Sequence, residues 1–151
     1  MKNVSLTRGV LKLVALTVVT IMLGTKAYAG GDIFSIYLNN KLLLRQAAYE
    51  PLNVNGLQLQ KAKPTDEVVV FYSQCHADNK VGKNRSLRLK DEQGNTIKEW
   101  KFADTNGPDK GMTISVKELL DLEKRSKGKL LLVYRDVQLD KEQKLVGITF
   151  G

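Results

Sequence analysis

The chain has 151 residues, of which 24 are Lys or Arg and 16 are Asp or Glu, giving a formal net charge of +8. A high proportion of basic residues raises the question of nucleic-acid binding. Four of the basic residues, Lys2, Arg8, Lys12 and Lys26, precede residue 30, and no acidic residue does. Without that segment 20 basic and 16 acidic residues remain, so the net charge falls to +4 and nucleic acid is not an expected partner.

Residues 1–29 have the three parts of a secretory signal peptide. A basic start is followed by the uncharged, mostly apolar residues 13–25 and then by Ala27-Tyr28-Ala29, a small-x-small cleavage pattern. Only 13 residues separate Lys12 from Lys26, whereas a spanning helix needs about 20 apolar residues. The sequence therefore predicts a cleaved signal peptide over 1–29 and an exported domain over 30–151, periplasmic or extracellular and without a membrane span.

A hairpin is predicted at the start of the mature chain. Residues 32–38 alternate between apolar and polar side chains, as in a half-buried strand. Asn39-Asn40 suits the positive φ angles of a tight turn. Residues 41–46 then return as the partner strand, with Leu42 and Leu44 expected to point inward.

Short strands account for most of the remaining chain. Residues 67–73 are apolar on both faces, which indicates a central strand covered on both sides. Alternation or apolar runs between turn residues predict six further strands, over 57–60, 86–90, 96–102, 112–115, 130–134 and 145–150.

One helix of about three turns interrupts the strands. Ser115 and Glu118 have the spacing of a capping box, and Gly128 is a natural terminator. Seven or eight short strands with one short helix predict an all-β domain, a single β-sandwich of immunoglobulin-like architecture. A small barrel is the alternative.

Cys75 and His76 are the only thiol and the only imidazole of the chain. A thiolate beside an imidazolium can be nucleophilic, but adjacent residues on a strand point to opposite faces. Metal sites usually need three or four ligands, which this pair does not supply. A buried Cys75 beside a surface His76 is the more ordinary arrangement. A thiol-dependent or metal-binding protein remains an alternative.

Two further sets of residues are candidates for binding. Lys83 and Arg85 form a basic turn that lacks the residues of a phosphate-binding loop, so a solvated turn or an anion contact is expected. Tyr37, Tyr49 and Tyr134 are candidates for a surface platform that stacks sugars, although aromatic residues more often supply core area.

The mature chain resembles a group of short exported bacterial β-rich proteins of unknown function. The resemblance rests on motifs spread over most of the domain, namely Phe71 to His76, Gly82 to Arg85, Ser86 to Gly94, Lys98 to Asp104, Lys117-Glu118-Leu119 and Gly128-Lys129-Leu130. It implies an exported β-rich domain and brings no activity, cofactor or site residues.

The sequence favours a non-enzymatic binding or structural accessory module of the cell envelope, monomeric or weakly associating and without a cofactor. Its partner is expected to be an envelope protein or a glycan. A protein partner predicts an exposed apolar patch or a free strand edge. A glycan predicts exposed coplanar aromatic rings, and an enzyme predicts a pocket in which Cys75 or His76 meets a carboxylate.

Overall fold

The computed structural model describes residues 31–75, 82–105, 110–126 and 128–150, so the predicted signal peptide and His76 lie outside the described residues. These ranges contain nine strands and one helix, in the order β1 (Ile33–Leu38), β2 (Lys41–Ala47), β3 (Asn53–Gln58), β4 (Glu67–Ser73), β5 (Ser86–Lys90), β6 (Thr96–Lys101), β7 (Met112–Ser115), α1 (Val116–Glu123), β8 (Leu130–Arg135) and β9 (Gln143–Thr149). The mostly-β prediction is confirmed; the expected total was seven or eight strands, and each of the nine strands overlaps a segment that the sequence pattern indicated.

The strands form two sheets. The four-stranded sheet has the order β2-β1-β4-β7, and the five-stranded sheet has the order β3-β9-β8-β5-β6. All described pairs are antiparallel except β3 with β9. The inward side chains of both sheets form one apolar core, including Ile36, Val70, Leu87 and Leu132. The arrangement is a two-sheet sandwich, whereas the immunoglobulin-like topology is not confirmed by these strand orders.

Among the described residues, no helix is both long enough and apolar enough to cross a bilayer. Helix α1, the one helix in the described ranges, has eight residues, or about 12 Å at 1.5 Å per residue. It connects β7 of one sheet with β8 of the other.

A β-bulge corrects the prediction for Leu42. Ile36 pairs with Leu44, but Tyr37 pairs with Leu42, so Leu43 is an extra residue on β2. Successive residues of a strand point to opposite faces of the sheet. One extra residue therefore moves the side chains that lie beyond it in the strand to the other face. Leu42 therefore shares the outer face with Tyr37 and is 46% exposed.

The helix start also differs from the prediction. Ser115 is the N-cap residue, but its side chain makes no capping hydrogen bond. The Glu118 carboxylate instead accepts a hydrogen bond from Trp100 Nε1 (2.8 Å) and forms an ion pair with Lys98 (3.1 Å). The capping-box prediction is therefore wrong, because Glu118 is engaged by β6 rather than by the start of its own helix.

Strand β4 has the bounds and the inner position that its apolar run predicts, between β1 and β7. Its inward residues Val68 and Val70 are fully buried. Its outward residues Val69 and Phe71 are only half-buried. The expected cover is therefore complete on the inner face and partial on the outer face.

Candidate binding surfaces

A cluster of tyrosines and carboxylates closes one end of the sandwich. Tyr72 of β4 and Tyr134 of β8 stack with ring centroids 4.1 Å apart and an interplanar angle of 17°. The Tyr72 hydroxyl donates to Asp32 (2.9 Å) and the Tyr134 hydroxyl donates to Asp136 (2.8 Å). Burial, reinforced by these hydrogen bonds to carboxylates, raises the pKa of both tyrosines well above the ordinary value. Both phenols therefore remain neutral donors.

The Asp136 carboxylate is buried and accepts four hydrogen bonds. Its Oδ2 accepts from Tyr134 and from Gln74 Nε2 (2.8 Å), and its Oδ1 accepts from the backbone N–H groups of Gln138 and Leu139. The Oε1 atom of Gln74 is buried and has no hydrogen-bond partner among the described residues. The side chains of the cluster thus mainly satisfy one another, which favours a structural role over a ligand site.

This cluster corrects the prediction for Tyr134. Alternation from Leu130 and Leu132 turns its ring into the core, where only 1% of its surface is exposed. Tyr134 therefore cannot belong to a surface platform. Tyr37 lies on the outer face of the other sheet, and Tyr49 is 63% exposed with its ring against Gly31. The three predicted tyrosines do not form one sugar-stacking surface.

Arg85 is buried rather than solvated, with 6% of its surface exposed. Its guanidinium donates to the backbone carbonyls of Ala103, through Nε (3.0 Å) and Nη2 (2.8 Å), and of Lys110, through Nη1 (2.8 Å). Those carbonyls follow β6 and precede β7, so their approach to Arg85 depends on tertiary structure. Lys83, two residues away, is exposed as predicted.

Cys75 is exposed, which corrects the expectation that it is buried. It lies just past the end of β4, where its thiol donates to the carbonyl of Gly31 (2.9 Å) and its backbone N–H donates to Asp32 (3.0 Å). His76 lies outside the described residues, as does much of the loop from Gln74 to Arg85. Within the described part of the chain, no cluster of three His, Cys, Asp or Glu residues could hold a metal ion.

The outer face of the four-stranded sheet carries an apolar stripe, formed by Leu42, Tyr37, Val69 and Phe71. Tyr37 pairs directly with Leu42 on one side and with Val69 on the other. The Tyr37 and Phe71 rings meet edge to face, with centroids 5.6 Å apart. Outer faces of antiparallel sheets are commonly polar. An apolar stripe across three adjacent strands is therefore a distinctive surface.

The outer face of the five-stranded sheet carries a basic groove of about 320 Å³, whose cationic residues are Arg85, Arg88, Lys101 and Arg135. Two carboxylates, Glu99 and Asp136, also line it.

Charge is distributed unevenly within the groove. Arg88 donates to Glu99 (2.7 Å) and also pairs with Glu142, which in turn pairs with Lys90. The hydrogen bond from Arg88 holds the pKa of Glu99 below its ordinary value. Among the described residues, neither Lys101 nor Arg135 forms an ion pair.

Of the residues that form these two surfaces, sequence reasoning singled out only Tyr37 and Arg85 as binding candidates. Lys101 and Arg135 are 34 positions apart and meet only because β6 and β8 both pair with β5. The sequence indicates part of the apolar stripe, because Val69 and Phe71 belong to the run in residues 67–73 that is apolar on both faces. Leu42 joins it only through the bulge at Leu43.

No protein-family model matches the chain, and comparison with curated proteins finds no significant similarity.

Proposed function

We propose that this protein is an exported, non-enzymatic binding module of the cell envelope that recognises another envelope protein through the apolar stripe. The observation that carries the proposal is the solvent-facing row Leu42–Tyr37–Val69, continued by Phe71. Contiguous exposed apolar surface commonly marks an interaction site, and aromatic residues are enriched in the centres of interfaces. The signal-peptide pattern of residues 1–29 supports placing this interaction in the periplasm or outside the cell.

The charged residues around the apolar stripe indicate the charge that the partner's surface should carry. Arg45 lies on the same outer face, since it pairs with Ser35 of β1, and it is exposed. Lys110 is exposed next to Gly111, which packs against Val69 and Phe71. One carboxylate, Glu67, lies towards the opposite end of this face. A segment with apolar side chains and an acidic flank would complement this surface.

A second copy of the chain is a poorer fit for the same stripe. Among the described residues, Arg45 on this face and Lys110 near its edge outnumber Glu67, and the whole chain carries a net charge of +8, or +4 after the predicted cleavage. Two such faces brought together would place cations near cations, which disfavours association. The partner is therefore proposed to be a different, acidic protein.

Site-specific photocrosslinking in the native envelope tests this proposal. A photoreactive residue at Leu42 is compared with one at Val54, which is similarly exposed (50%) but lies on β3 of the other sheet. We expect one partner to be captured from position 42 and not from position 54. Equal capture from both positions would contradict the proposal.

The captured partner is then purified, and its affinity is measured for the wild type and for variants. Leu42→Glu should weaken binding at least about tenfold, because it removes buried apolar area and adds a charge of the partner's sign. Val54→Glu makes the same change elsewhere and should leave the affinity unchanged. Sedimentation of the protein alone tests the competing possibility of a homodimer. A dimer that dissociates in Leu42→Glu would show that the stripe binds a second copy of the chain and would contradict the proposed acidic partner.

A further inference from the structure

We infer that the basic groove of the five-stranded sheet binds a second, small ligand, an oxyanion carried by a group about the size of one monosaccharide. This site lies on the opposite sheet from the apolar stripe and does not depend on the proposed protein partner.

The register brings two cations to one place on the groove floor. Ser86 of β5 pairs with Lys101 of β6 on one side and with Arg135 of β8 on the other. Directly opposed residues of neighbouring strands project from the same face of a sheet. Lys101 and Arg135 therefore flank Ser86, with their backbones about 10 Å apart, since neighbouring strands are about 4.8 Å apart.

Unlike the neighbouring cations Arg88 and Lys90, Lys101 and Arg135 form no ion pair with a described carboxylate. In the next row, Arg88 is compensated by Glu99 and Glu142. Arg135 makes one hydrogen bond, from Nη1 to the carbonyl of Leu139 (2.7 Å), which leaves its charge without a carboxylate in the described structure. Lys101 is exposed and makes no ion pair with any described carboxylate.

The buried part of the groove adds positive charge. Among the described residues, the partners of the Arg85 guanidinium are neutral backbone carbonyls. Among the described lining residues, four are cationic and two, Glu99 and Asp136, are carboxylates, so these residues have a net charge of +2. An anion entering the groove would compensate that charge.

The volume of the groove and the chemistry of its side chains indicate the class of ligand. A volume of about 320 Å³ is at the lower end of the range for small-molecule sites, about 300 to 1,000 Å³. The planar guanidinium of Arg135 suits a carboxylate or a phosphate, which it can bind through two parallel hydrogen bonds. Lys101 supplies a point charge from the other side. A uronic acid or a sugar phosphate has this combination of size and charge.

Titration of the purified protein followed by amide NMR shifts tests this inference. The probes are glucuronate, glucose 6-phosphate and inorganic phosphate, with glucose as the neutral control. We expect saturable shifts around Ser86, Lys101 and Arg135 with one or both charged sugars and none with glucose. A response to inorganic phosphate alone would limit the site to the free ion and overturn the sugar-sized ligand. Equal response to glucose, or no response to any probe, would overturn the inference.

Variants separate this site from general attraction to a basic protein. Lys101→Gln should weaken binding of the charged sugar at least about fivefold, and Arg135→Lys should weaken it because the paired geometry is lost. Lys117→Gln and Lys124→Gln remove the same charge from exposed positions around α1 and should have little effect. Equal losses from Lys101→Gln, Lys117→Gln and Lys124→Gln, with no loss from the charge-conserving Arg135→Lys, would show non-specific electrostatics. Because Lys101 is exposed, its replacement is a test that does not depend on altering the core.

Discussion

The indole Nε1 of Trp100 donates a 2.8 Å hydrogen bond to the carboxylate of Glu118, which joins an edge strand of one sheet to the helix that follows the other. Lys98, two residues before Trp100, reaches the same carboxylate at 3.1 Å. The helix thus attaches to the sandwich by a polar contact as well as by its buried residues Val116 and Leu119. This contact predicts an effect of acid on stability.

Glu118→Gln should reduce the acid sensitivity of the fold. The hydrogen bond from Trp100, and to a smaller extent Lys98, lowers the pKa of Glu118 below its ordinary value of 4.5. A depressed pKa gives stability that is present above the unfolded-state pKa and is lost as the pH falls through the folded-state pKa. Because the side chain is 38% exposed, we expect a contribution below about 1 kcal/mol.

The measurement is urea unfolding followed by the fluorescence of Trp100, the only tryptophan of the chain. The difference in unfolding free energy between wild type and Glu118→Gln should shrink as the pH falls from 7 to 3. Asp121→Asn removes a carboxylate from the same helix without touching Trp100 and is the control. A difference that stays constant over this range would show that the ionised Glu118 carboxylate contributes nothing.

Asp136→Asn should be among the most destabilising single polar substitutions in the described structure. The carboxylate accepts from Tyr134, Gln74 and two backbone N–H groups. In asparagine, an N–H₂ group replaces one of the two carboxylate oxygens. Because that group is a donor facing two other donors, two buried hydrogen bonds are lost. We expect a loss of about 2 to 4 kcal/mol. Denaturant unfolding measures it, with exposed Asp140→Asn as the control; equal losses would contradict the importance of the cluster.

Tyr72→Phe should reduce the alkaline sensitivity of the protein. Burial, and then the hydrogen bond to Asp32, raises the pKa of Tyr72 above its ordinary value of 10.0. A raised pKa gives stability that is fully present below the unfolded-state pKa and is lost as the pH rises above it. The stability of the wild type should therefore fall more steeply above pH 10 than that of the variant. Identical slopes in unfolding experiments from pH 9 to 11.5 would contradict this.

Local pattern predicted the elements whose residues keep strict alternation. Leu87 and Leu89 alternate with polar residues and are fully buried, and the strand bounds of residues 86–90 are as predicted. Residues 130–134 are apolar at every position, so their pattern does not show which face Tyr134 occupies. The predicted surface role of Tyr134 was wrong because the register of β8 places its ring on the inner face with Leu130 and Leu132.

Other features depend on how distant segments meet. The bulge at Leu43 is a property of the register between β1 and β2. Burial of Arg85 depends on carbonyls at residues 103 and 110. The basic groove depends on the order of β6, β5 and β8, which strand patterns alone do not specify. Sequence could therefore predict which residues form strands, but not which outward side chains become neighbours.

Replacement of Gly147 by Ala should break the contact between β3 and β9. A Cβ atom at this position would overlap the backbone carbonyl of Val54, and a backbone atom cannot move aside as a flexible side chain does. Gly147 therefore permits the close approach of the two strands. We expect Gly147→Ala to cost more than about 2 kcal/mol, within the range for overpacking.

Gly94→Ala is the matched control for Gly147→Ala. Gly94 has a φ of +85° and open space around it, so its replacement adds backbone strain without a steric overlap. The expected cost is about 1 kcal/mol. Hydrogen exchange distinguishes the two effects, because only Gly147→Ala should expose the amides of β3 and β9 while those of β5 stay protected. A smaller loss for Gly147→Ala than for Gly94→Ala would show that β3 can move away from β9 at little cost, and that the parallel pair is not a rigid part of the sandwich.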